Sequence, residues 1–78
     1  MAKGKVVQIM GTVIDMEFPP GELPSINNGI IIYQEGIKII IEAQQHIGNN
    51  RVRGIALTPT EGLERGSEAI DTGEPLSI

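Results

Sequence analysis

Seventy-eight residues make room for one small domain, and ten acidic against six basic side chains leave a net charge of −4, which repels a phosphate backbone. Two aromatics, Phe18 and Tyr33, cannot build a base-stacking platform, and the absence of cysteine excludes disulfides, thiolate metal sites and cysteine nucleophiles. The 40% apolar share is globular rather than disordered, and fourteen isoleucines dominate it, so β-branching tilts the chain towards an all-β domain.

Lys5 to Phe18 reads as strand interrupted at Gly11. Val7 and Ile9 share one face before the glycine; Ile14, Met16 and Phe18 take the opposite parity after it, which predicts a β-bulge or a sharp corner there. Lys3 and Lys5 precede this stretch, but Gln8, Thr12 and Asp15 interrupt it too early for a signal segment. Pro19 to Pro24 cannot donate to a ladder and is a loop. Asn27-Asn28-Gly29 predicts a turn. The longest apolar run, Gly29 to Tyr33, is far too short to span a membrane, so the chain is expected to be soluble.

Ile30 to Tyr33 and Ile37 to Gln44 flank Gln34-Glu35-Gly36 as a hairpin. In its second strand Ile37, Ile39, Ile41 and Ala43 share one face. Lys38, Ile40, Glu42 and Gln44 share the other, where Ile40 stands out as a contact residue. His46 to Asn50 predicts another turn, and Arg51 to Leu57 another strand. Thr58 to Gly62 breaks that strand, with Thr60 placed to cap one helical turn. Glu68 to Ile70 and Leu76 to Ile78 are the last strand candidates. About six short strands with turns every 8–12 residues predict a small closed barrel or a sandwich, and closure would hide edges of so isoleucine-rich a sheet that would otherwise aggregate.

Chemistry-bearing patterns are sparse. Asp71-Thr72-Gly73 is the triplet of aspartic proteases, but that mechanism needs two carboxylates sharing a proton, hence a homodimer, and only five residues follow Gly73. A turn between two strands, in which the Asp71 side chain bonds the backbone, accounts for the triplet more simply. His46 is the only histidine and has no partner at metal-ligand spacing, so an exposed turn accounts for it. Ser25, Ser67 and Ser77 lack a nucleophile-elbow setting, Ser67 reading as turn chemistry. Glu64, Arg65 and Glu68 read as a solvated surface. Gly4-Lys5 is followed by Val6, which denies it a phosphate-loop role, and no dinucleotide glycine motif occurs. Lys38 is the only lysine beyond the N-terminal five residues. It stands inside a strand, without the flanks that lipoyl or biotinyl carrier domains give their modified lysine. No catalytic, cofactor-binding or metal residue is therefore assigned.

The order of motifs along the chain says more than any one residue. Gly4-Lys5-Val6-Val7-Gln8-Ile9-Met10-Gly11 leads into Val13-Ile14-Asp15-Met16-Glu17-Phe18-Pro19-Pro20-Gly21-Glu22-Leu23-Pro24. Glu42-Ala43-Gln44-Gln45-His46-Ile47-Gly48-Asn49-Asn50 follows, then Arg51-Val52-Arg53-Gly54-Ile55-Ala56-Leu57, Thr60-Glu61-Gly62-Leu63, Arg65-Gly66 and Asp71 to Ile78. Together these resemble the start of the β (catalytic) subunit of rotary F-type ATP synthases over nearly the whole chain. The Phe18–Pro24 loop and the Gln45-His46-Ile47-Gly48 block favour that subunit over its α, vacuolar and flagellar relatives. Asn49 stands where the family often has Asp, and Thr58-Pro59 replaces an acidic-Ser pair.

The resemblance implies that residues 1–78 form the N-terminal β-barrel domain alone, an all-β, six-stranded antiparallel closed barrel, without the nucleotide-binding and C-terminal helical domains of such subunits. It implies a partner, the α-subunit barrels, with which three β barrels alternate in a hexameric crown. It also implies a peripheral place in the soluble sector of an energy-transducing membrane, on its cytoplasmic, matrix or stromal face. Mg-ATP and proton-coupled ATP synthesis belong to the parent subunit, and no family catalytic residue has a counterpart here. Taken alone, the domain is expected to be a monomer or a weak oligomer. The readings set against this are a stand-alone interaction barrel and the dimeric protease.

Overall fold

Isoleucine and valine at alternating positions give a chain that is rigid at χ1 and half apolar, and such segments pair into pleated sheet. The computed structural model describes residues 2–76 and contains six strands. They are β1 (Lys3–Met10), β2 (Val13–Glu17), β3 (Asn28–Gln34), β4 (Ile37–Gly48), β5 (Arg51–Ala56) and β6 (Glu68–Pro75). All pairings are antiparallel, and the order β1-β2-β5-β4-β3-β6 closes on itself as a barrel. The expected fold class, an all-β six-stranded antiparallel closed barrel, is the one observed.

Three of the connections are two-residue hairpins. Glu35 and Gly36 both hold positive φ (48° and 79°), as do Asn49 and Asn50 (54° and 62°), the backbone of a type I′ turn. Gly11, at φ 62°, opens the third, Gly11-Thr12. Gly11 is therefore the reversal between two paired strands, and not a bulge or corner within one. The bulge sits earlier, at Val7, where the β1–β2 register slips between Val6 and Gln8. That slip puts Val6 and Ile9, three apart, on the inner side, in place of the expected Val7 and Ile9.

Other boundaries move for identifiable reasons. Asn28 and Gly29 belong to β3, because the Asn28 side chain finds its partner, Asp71, on the neighbouring strand β6; only Asn27 keeps turn geometry, at φ 77°. β4 runs through His46 to Gly48, bulging on the way, so the turn shrinks to Asn49-Asn50. β6 continues through Asp71-Thr72-Gly73 rather than turning there, and Leu76 follows the strand; Ser77 and Ile78 lie outside the described residues. Around Thr60 there is a turn, with Leu63 N donating to Thr60 O at 3.0 Å, and no helical turn.

The core is made of Val6, Ile14, Met16, Phe18, Ile30, Ile32, Ile39, Ile41 and Val52, interleaved with the small residues Ala43, Ala56 and Ala69. Large and small inward residues alternate because a narrow barrel has no room for six isoleucines at one level. Gly54 is the extreme case: a Cβ there would lie 2.5 Å from Ile41 Cγ2. Ile37, expected to face inward with Ile39 and Ile41, is 44% exposed at the hairpin tip. Leu23 and Leu63 pack against the core from the two long loops, 18–27 and 57–67. Those loops close opposite ends of the barrel.

Candidate functional site

The polar residues that invited catalytic readings turn out to be joints of the barrel. Asp71 is buried, and its Oδ1 accepts from Asn28 Nδ2 (3.1 Å) and from Gly73 N (2.9 Å). Thr72 Oγ1 donates to Gly29 O at 2.7 Å. These bonds tie β6 to β3 where the ladder register slips between Asn28 and Ile30. A carboxylate so engaged seals a seam between two strands of the barrel.

His46 is exposed on β4 rather than in a turn, and its Nε2 lies 2.7 Å from Pro24 O. With Asn27 N donating to Ala43 O at 2.7 Å, this contact holds loop 18–27 against the part of β4 that β3 does not reach. At the other end Ser67 Oγ donates to Gln34 Oε1 at 2.5 Å, while Gln34 Nε2 donates to Gly62 O. Val6 N donates to Ser67 O and Gly66 N to Val6 O, so loop 57–67 seals the gap between β1 and β6. Ser25, Glu64 and Arg65 are exposed loop residues, and Ser77 lies outside the described residues. Gly4 sits where a Cβ would come 2.8 Å from the Phe18 ring and would collide with Glu17 O, so its glycine serves strand packing.

The outer wall divides into two regions. Across β6, β1, β2 and β5 the register aligns Glu68, Lys5, Glu17 and Arg51, a row of alternating sign. A neighbouring row holds Gln8, Asp15, Arg53 and Gln45. Arg53 grips Asp15 with both arms, Nε–Oδ1 at 2.9 Å and a second nitrogen to Oδ2 at 3.1 Å. The hydrogen bond to Asp15 and then its charge push the Arg53 pKa above its ordinary value. This pair escapes sequence reading, because it exists only once β2 and β5 are placed in register. Lys3, Lys5, Glu17, Pro20 and Glu68 line an open groove in which two cations meet two anions, which favours no charged ligand.

The second region is apolar. Ile70, Ile31, Ile40 and Leu57 follow one another across β6, β3, β4 and the end of β5. Beside them Ile55, Val13 and Met10 lie next to one another across β5, β2 and β1. Leu57 is 58% and Ile55 41% exposed, and Tyr33, at 63%, stands at the margin. Ile40, singled out as a contact residue, is at the centre, between Lys38 and Glu42.

Among the described residues, no group of three or more His, Asp or Glu side chains is placed to hold a metal ion, and no helix is long and apolar enough to cross a membrane. A family profile described as the ATP synthase alpha/beta family, beta-barrel domain, matches residues 6–73, from the Val6 seam to the Gly73 joint. A closed six-stranded barrel over that same span agrees with it, and the chain therefore belongs to the ATP synthase alpha/beta family, as its β-barrel domain.

Proposed function

We propose that this barrel is that of a β-type, catalytic subunit, and that it holds an alternating ring of α and β barrels together. The observation that carries the reading is the His46–Pro24 contact at 2.7 Å. It joins the two sequence blocks, Phe18–Pro24 and Gln45–Gly48, on which the resemblance to β-type subunits rests. In this chain the two blocks work as one joint.

In this role the barrel is a fixed anchor against which the nucleotide-binding domains of the parent subunit move during proton-coupled ATP synthesis. The ring sits in the soluble, peripheral sector of the membrane enzyme. Nucleotide and Mg²⁺ are handled by the later domains, and this chain contributes contact surface. Its sealed ends and cross-braced wall suit a part that bears load without changing shape.

Sedimentation velocity tests the assignment. At low micromolar concentration, the chain mixed with the N-terminal barrel of the matching α subunit should give a species that neither forms alone. Mixed species with a β-type barrel but none with the α barrel would overturn it.

A further inference from the structure

We infer that the apolar outer wall centred on Ile40 is a self-complementary surface, on which a second copy of this chain docks about a two-fold axis. The inference needs only this chain and stands whichever subunit type the barrel belongs to. Along the outer face of β4 the sequence places Lys38, Ile40 and Glu42 at alternate positions: a cation, an apolar centre and an anion. Ile31 lies beside Ile40 on β3, and Leu57, whose N–H donates to Ile40 O, lies on the other side.

Two such faces can meet with their β4 strands parallel or antiparallel. With an axis along the strand, Lys38 opposes Lys38 and Glu42 opposes Glu42, and both pairs repel. With the axis in the interface and across the strand at Ile40, the order reverses. Lys38 of each copy then faces the partner's Glu42, twice by symmetry. Ile31, Ile40 and Leu57 each meet their own counterparts on the axis.

Tyr33, level with Lys38 on β3, falls opposite the partner's Gly29. Gly29 has no side chain of its own there, and Leu76 covers it: a Cβ at Gly29 would lie 2.6 Å from Leu76 Cδ2. The exposed ring thus meets an apolar surface rather than a charge. Glu42 is already oriented, since Gln44 Nε2 donates to its Oε1 at 2.6 Å, which leaves Oε2 for the lysine.

The size of the contact sets its strength. A tenth of the 4658 Å² surface is about 470 Å² a side, below the roughly 800 Å² of a standard stable interface. The pair should therefore be weak, with a dissociation constant of about 10–100 μM, above the low micromolar range in which hetero-association is tested.

Charge reversal tests it. Sedimentation equilibrium of the chain across that range should show a monomer–dimer equilibrium. Lys38→Glu and Glu42→Lys should each weaken it at least about tenfold, by replacing attraction with like-charge contact. Lys38→Glu/Glu42→Lys should restore it to within about threefold, because both pairs are rebuilt with the signs exchanged. Leu57→Asp, at an exposed position, should abolish it while the circular dichroism spectrum stays unchanged. A chain that stays monomeric to millimolar concentration would overturn the inference. So would a double variant no better than the singles, or a dimer indifferent to Leu57→Asp.

Discussion

Ile41→Ala and Gly54→Ala should not add. Ile41 is fully buried, and truncation to alanine removes three carbons, about 2.4 kcal/mol at roughly 0.8 kcal/mol each. If the site does not collapse, a residual cavity of roughly 70 Å³ adds about 1.7 kcal/mol, for a total near 4 kcal/mol. That is a large part of the about 4–12 kcal/mol expected for a domain of this length. Gly54→Ala is the opposite insult, with a methyl driven to 2.5 Å from Ile41 Cγ2 and 2.8 Å from Glu42 O. Overpacking of that kind costs about 1–3 kcal/mol. In the double variant Ile41 Cγ2 is gone and the new methyl fills part of the void, so the cost should fall below the sum by at least about 1 kcal/mol. Urea unfolding followed by circular dichroism, with shared slopes across the four proteins, measures the cycle. Additivity within about 0.5 kcal/mol would show that Ile41 does not set the space at Gly54, and would refute the packing described for this level of the barrel.

Asp71→Ala should lower stability by about 1–3 kcal/mol, because it orphans the buried Asn28 amide and the Gly73 N–H together, and an unchanged urea midpoint would remove Asp71 from the seam. Glu35→Asn should raise stability by about 0.5–1 kcal/mol, since Glu35 holds φ 48° in a turn that asparagine tolerates better; thermal unfolding reads it, and a lower midpoint would contradict the turn geometry. Calorimetric titration with Mg-ATP should give no specific heat, as the chain offers no glycine-rich cradle before a helix. Micromolar binding would contradict that expectation.

Alternation made β3, β4 and β5 legible, since Ile30/Ile32 and Ile39/Ile41 advertise a two-residue period that local packing obeys. The first hairpin was harder. A bulge at Val7 and a reversal at Gly11 both shift parity, and a single strand cannot show which of them did so. Asn28 and Asp71 were misplaced because the bond that makes them strand residues spans 43 positions. The triplet's local chemistry was nonetheless sound: Asp71 does bond Gly73 N two residues on, only inside a strand instead of a turn. Ile40 was recognisable as a contact residue because an isoleucine among Lys38, Glu42 and Gln44 breaks its face. The wall around it was not, for Leu57, Ile55 and Ile31 converge on it only after the sheet closes.

The strand order also fixes how this chain must come together in time. β3, β4 and β5 pair through two-residue turns and can form as each emerges, but β1 meets β6 through three residue pairs drawn from opposite ends of the sequence. Loop closure over nearly the whole chain precedes any reward from that ladder, which places folding in the millisecond-to-second range typical of non-local β topologies. During synthesis the isoleucine face of the β3–β4 hairpin is complete long before Ala69 and Asp71 arrive to cover it. The nascent barrel therefore spends its most vulnerable interval open along one edge, and the seam at Asn28 and Asp71 is the last lock to engage.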